Sequence, residues 1–140
     1  MTGDSVWVLD CSAAVAFLLR EEESDALDAL ILRAARDEVR LVVPALFWFE
    51  LLNALVMAER RGRITRPQAI SLRNDVAHLP IEVEPPLGAS ERARIHDLAT
   101  AHHLTAYDAA YLELAERIGA RLKTLDPDLI KWKKKYAWIG

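Results

Sequence analysis

The chain has 140 residues, one cysteine and a formal net charge of −3, a length that fits one domain able to bury roughly 68–70% of its unfolded surface without a staple. Cys11 alone excludes an internal disulfide, and no Cys/His spacing of a zinc site occurs. The acidic balance weighs against a general nucleic-acid binder held by charge alone.

Val6–Leu9 is a short apolar run that predicts a buried strand ending at Asp10. Ser12 is the expected cap of a short helix, Ala13–Leu19, and a second helix is expected over Ser24–Arg36 with Leu27, Leu30, Ile31 and Ala34 on one face. Arg40–Val43 reads as a second strand closed by Pro44, and Ala45–Arg61 as a long helix stopped by Gly62. Thr65 caps a helix with Pro67 in its first turn, running to about His78. Ile81–Glu84 is expected as an edge strand, since Pro85–Pro86 stops it. Helices follow from Ser90 to about His102 and from Thr105 to about Ile118, then a strand at Arg121–Thr124. Asp126–Pro127 opens a last helix through about Lys134. Strands alternating with helices imply a single α/β domain over residues 1–140 with a mainly parallel sheet.

MTGDSVWVLD lacks the basic and apolar regions of a secretory leader, and the longest apolar run, Ala45–Met57, is too short for a bilayer and contains Glu50 and Asn53. A cytoplasmic protein without a membrane partner is expected. Two basic groups, Arg60, Arg61, Arg63 and Arg66, then Lys131, Lys133, Lys134 and Lys135, each read alone as solvated helix ends.

Four acids carry the functional reading. Asp10 follows a strand directly, where chemistry collects in parallel sheets. Glu50 sits in LFWFELLNALVM, and its helical neighbours Leu46, Phe47, Asn53, Ala54 and Met57 include no base. A lone buried carboxylate costs several kcal/mol or becomes protonated, so a bound metal is the natural compensation. Asp108 and Asp126 are also explained as helix caps, the first in a Thr105 capping box and the second before Pro127. Yet Asp126, like Asp10, follows a strand, and Thr124 stands two residues before it. Four hard oxygen donors from four separate elements suit Mg²⁺ or Mn²⁺ and the hydrolysis of a phosphodiester. His102–His103 reads as a polar helix end, Cys11 as buried and inert, and no phosphate-binding glycine loop occurs.

The segments VLDCSAAVAFLL, PALFWFELLNAL, LTAYDAAYLELA and LKTLD resemble, in order and spacing, the PIN-domain ribonucleases and among them the VapC-type toxins. The resemblance covers essentially the whole chain. It implies a three-layer α/β/α fold with a central parallel sheet of four to five strands, ordered 3-2-1-4-5, and KKKYAWIG leaves room only for a stub of the fifth. It also maps the catalytic, metal-holding quartet onto Asp10, Glu50, Asp108 and Asp126, with Ser12, Asn53 and Thr124 in support. It implies a Mg²⁺- or Mn²⁺-dependent endoribonuclease silenced by a cognate antitoxin. Alternatives from other classes are an RNA-binding module whose acids are only caps, and a phosphatase with Asp10 as nucleophile. Against the second, Ser12 stands where such enzymes usually carry an acid. The helix Ala45–Met57 is apolar almost all round, so one face, including Trp48 or Phe49, is expected to be covered by a second copy or by the antitoxin.

Overall fold

Val6–Leu9 forms strand β1 at the centre of the sheet, with Val8 and Leu9 fully buried. The computed structural model describes residues 5–20 and 24–140. After β1 come α1 (Cys11–Leu18), α2 (Ser24–Ala35), β2 (Arg40–Val43), α3 (Leu46–Arg60) and α4 (Arg66–Val76). Then follow β3 (Ile81–Val83), α5 (Ala89–His102), α6 (Ala106–Ile118), β4 (Arg121–Lys123) and α7 (Pro127–Ile130). The four strands are parallel in the order β3-β2-β1-β4, the middle of a three-layer α/β/α fold. Helices cover both faces, which is why β1 and β2 are continuous apolar runs rather than alternating ones. α1 packs on α2 and α3, and α3 on α4, while α5 packs on α6.

The order of strands fixes where a site can form. β2 lies on one side of β1 and β4 on the other, so the chain leaves the sheet in opposite directions at the carboxyl ends of β1 and β4. A crevice opens at such a reversal. The register Val8↔Leu122 and Leu9↔Lys123 brings Asp10 level with the end of β4, and Asp10 N–H donates to the Lys123 carbonyl at 3.0 Å.

The expected stops and starts are present. Gly62 and Gly119 take φ of +71° and +66° at the ends of α3 and α6, a backbone conformation that glycine adopts without steric cost. Thr65 and Gln68 form a reciprocal capping box at the start of α4.

Three expectations are corrected. Ser12 does not cap α1: the helix begins at Cys11, two residues before the expected Ala13, Asp10 holds the cap position without a side-chain capping bond, and Ser12 lies in the first turn. The last helix ends at Ile130, not Lys134, and the chain continues in turns that press Trp132, Tyr136 and Trp138 against the core. His102 is no polar helix end; it is buried, shares a 3.0 Å hydrogen bond with the Tyr136 hydroxyl and stacks on Trp132 at 4.1 Å. The same aromatic segment leads to the stub of a fifth strand. It is one parallel bridge, Leu122↔Ile139, beside β4.

Candidate active site

Asp10 is 4% exposed, yet its carboxylate meets no base. Its Oδ2 accepts the Ser12 hydroxyl and the Thr124 hydroxyl, both at 2.7 Å. The Ser12 oxygen in turn accepts Leu125 N–H at 2.9 Å, and the Thr124 oxygen accepts Asp126 N–H at 3.0 Å. Two hydroxyls thus bind the start of α1 to the turn after β4, with Asp10 between them. Burial raises the Asp10 pKa, the two hydroxyls lower it, and Asp126 raises it further.

Glu50 projects from α3 and is half-buried. Its Oε1 accepts the hydroxyl of Tyr111 on α6 at 2.6 Å. Burial raises the Glu50 pKa, Tyr111 opposes the rise, and Asp10, Asp108 and Asp126 add to it. Asp108 lies in the first turn of α6, where its backbone N–H is satisfied by the Thr105 hydroxyl at 3.1 Å. Burial, then Asp126 and Asp10, push its carboxyl up to about 6. Asp126 caps α7 by accepting Asp128 N–H at 2.9 Å. Capping and membership of the site coincide here, because the helix start faces the strand-end crevice.

All four acids line one cleft of about 380 Å³, with Ser12 and Asn53 beside them and no basic side chain in its lining. Thr124 supports it from below, buried at 2% exposure. Cys11 is at the cleft wall, and burial, Glu50 and Asp10 push its thiol up to about 12, so it stays protonated and inert at neutral pH.

Among the described residues, no three His, Cys, Asp or Glu side chains converge as a ready metal cage. The donors are nonetheless all hard oxygens, and after burial the acids raise one another's pKa, a repulsion that a divalent cation would relieve. That fits Mg²⁺ or Mn²⁺ better than zinc, since Mg²⁺ usually keeps several waters and takes only one or two carboxylates.

A larger cleft, about 510 Å³, lies against α5 and α6 and is lined by Arg94, Asp97, Leu98, Glu113, Glu116 and Arg117. There the buried Glu113 accepts both arginines, and Arg117 also pairs with Glu84. These charges neutralise one another, unlike those of the first cleft. Sequence reasoning missed this cluster, although Glu113 and Arg117 are at i,i+4 spacing. It also missed Tyr111, three residues from Asp108 and so on the same helix face.

Fold and cleft together define a PIN domain: the PIN-domain family model matches residues 7–135, and the chain belongs to that family. Within it, the chain is 32% identical over 122 residues to Ribonuclease VapC3 of Pyrobaculum aerophilum, covering 87% of this chain and 90% of that one. The crystal structure of PAE2754 from the same organism matches at a TM-score of 0.67 and 26% identity, over 92% of this chain and 81% of that one. A chain of VapBC2 from Rickettsia felis, crystallised with a DNA fragment from its promoter, matches at a TM-score of 0.68 and 16% identity over 96% of both chains. At that identity the likeness speaks for the fold alone.

Proposed function

We propose that the protein is a metal-dependent endoribonuclease, the toxin of a type II toxin–antitoxin pair. The observation that carries this reading is the gathering of Asp10, Glu50, Asp108 and Asp126, from four separate elements, in one cleft without a base. The ribonuclease activity named for the VapC3 relative supports it.

Asp10, Asp108 and Asp126 would hold the ion, with Glu50 a further ligand or the group that orients water. When bound, Mg²⁺ or Mn²⁺ would acidify a water and neutralise charge growing on the phosphate oxygens. The protein's own part is orientation. Ser12 and Thr124 hold Asp10 Oδ2 in place and so fix the orientation of a carboxylate that lines the cleft. Asn53, exposed on α3 one turn after Glu50, lines the cleft and offers a neutral donor and acceptor to the RNA or to water. RNA approaching a cleft of four carboxylates is repelled unless a cation intervenes, which ties substrate binding to metal.

An antitoxin and a second copy of this chain are the proposed protein partners. Their surface is the stripe Phe49, Leu52 and Val56 on the outer face of α3. No helix of the described residues is long and apolar enough to cross a membrane. We place the protein in the cytoplasm with its RNA.

The test is incubation with a structured RNA in Mg²⁺ or Mn²⁺, and again after EDTA. Cleavage leaving 5′-phosphate and 3′-hydroxyl ends, abolished by EDTA and by Asp10→Asn, is the expected result. Cutting that survives either change overturns the mechanism.

A further inference from the structure

Tyr111 is fully buried in the core, and its hydroxyl donates to Glu50, one of the acids that line the cleft. The two residues are 61 positions apart and belong to α6 and α3, helices that are not among the closely packed pairs of the fold. The phenol therefore spans the gap between the two helices that carry Asp108 and Glu50. Its ring has no freedom to follow a moving partner, because the surrounding core holds it on every side. A hydrogen bond of 2.6 Å from a rigid donor to a carboxylate is short and strong, and it selects one rotamer of a long, flexible acid.

We infer that Tyr111 is a positioning residue, whose hydroxyl commits Glu50 Oε1 to the core and leaves Oε2 as the oxygen offered to metal or water. The inference rests on the metal-dependent reading above and deepens it. With one lone pair of Oε1 engaged, the two oxygens of Glu50 are no longer equivalent, and Oε2 is the better donor to metal or water. Glu50 is thereby also held in register with Asp108, since Tyr111 and Asp108 share a face of α6. Sequence spacing alone left Glu50 without a local partner, and Tyr111 supplies it from across the site.

Tyr111→Phe removes only the hydroxyl. Titration with MnCl₂ in the absence of RNA should show about tenfold weaker binding, the usual scale for losing a group that orients a metal ligand. With an RNA oligonucleotide at saturating Mn²⁺, kcat should fall by about tenfold while KM stays within about twofold. If Tyr111 acts through Glu50, the Mn²⁺ affinity of Glu50→Gln should be the same with and without Tyr111→Phe. Unchanged Mn²⁺ affinity in Tyr111→Phe, or losses that add in the double variant, overturn the inference. Should Tyr111→Phe fail to fold, NMR of ¹³Cζ-labelled tyrosine in the metal-free protein reads the same bond with the phenol intact. One of the signals from Tyr107, Tyr111 and Tyr136 should move in Glu50→Gln, and no movement overturns the inference. A native protein that binds Mn²⁺ in this Tyr111-dependent way yet cuts no RNA would defeat the nuclease reading and leave the positioning role standing.

Discussion

Thr124 donates its hydroxyl to Asp10 across 114 positions of sequence, and on the same oxygen accepts the backbone N–H of Asp126. One small side chain therefore ties together the two acids that follow neighbouring strands. Thr124→Val keeps the shape and removes both bonds, leaving a buried carboxylate short of a donor at a cost of about 1–3 kcal/mol. Thr124→Ser restores the hydroxyl and should stay close to the native protein. Urea unfolding of the three proteins at one pH gives the comparison.

The acids make the metal-free fold sensitive to pH in an unusual direction. Asp108 is raised from 3.8 to about 6 in the folded state. Between those values the folded protein holds more protons than the unfolded one, so stability falls as pH rises through the window. Asp10 and Glu50 shift the same way. Unfolding free energies in EDTA at pH 4.5 and pH 7 should show a smaller fall with rising pH for Asp108→Asn than for the native chain. Equal falls would show that Asp108 titrates normally.

Metal should reverse that penalty. An ion that binds only the folded state at a hundred times its Kd contributes about 2.7 kcal/mol. For a domain of this length that corresponds to a melting-temperature rise on the order of 10 °C. Asp10→Asn relieves repulsion, so its metal-free form should melt higher than the native protein and respond less to Mn²⁺. A native protein with no response at millimolar Mn²⁺ would count against the site.

Away from the cleft, Arg117 neutralises two acids that burial would otherwise penalise, Glu113 and Glu84. Arg117→Met leaves them without that partner and should cost about 3–5 kcal/mol. Arg94 is half exposed and shares Glu113 with Arg117, so Arg94→Met should cost about 1 kcal/mol or less. Thermal melts of the two variants would rank them, and the reverse order would refute this division of roles.

On α3, Phe49 is 76% exposed, whereas Trp48 is partly buried and meets Phe47 edge to face at 5.3 Å. Phe49→Glu should leave the fold intact and weaken association, seen as a lower mass by light scattering or loss of antitoxin binding. Trp48→Glu should instead lower the melting temperature, because its side chain belongs partly to the core. A Phe49→Glu protein with native mass and native antitoxin affinity would remove α3 as the contact surface.

What the sequence disclosed follows from how local each cause is. The strands, the glycine stops at Gly62 and Gly119 and the Thr65 cap depend on neighbours within a few positions, and they stand where expected. That the four acids meet in one cleft was legible because Glu50 had no partner within one helical turn. Tyr111 was not, because its partner is 61 residues away and a tyrosine in an apolar helix reads as core. The cap position of α1 was not legible, because the residue that holds it, Asp10, makes no side-chain capping bond and spends Oδ2 on the hydroxyls of Ser12 and Thr124. The burial of His102 was not legible either, because nothing near it in sequence announces Tyr136 or Trp132.

The distance between Asp10 and Thr124 is also an interval in time. A ribosome adds about 5–20 residues per second, and the earlier parts of a chain fold first. The first acid is thus made on the order of ten seconds before Thr124, which holds it, and Asp126, which stands beside it. β1 and α3 precede β4 in the chain, so Asp10 and Glu50 are made before the turn that closes the cleft on its β4 side. On the ribonuclease reading proposed above, the cleft lacks one of its four acids, and the hydroxyl that holds another, until the turn after β4 has been made.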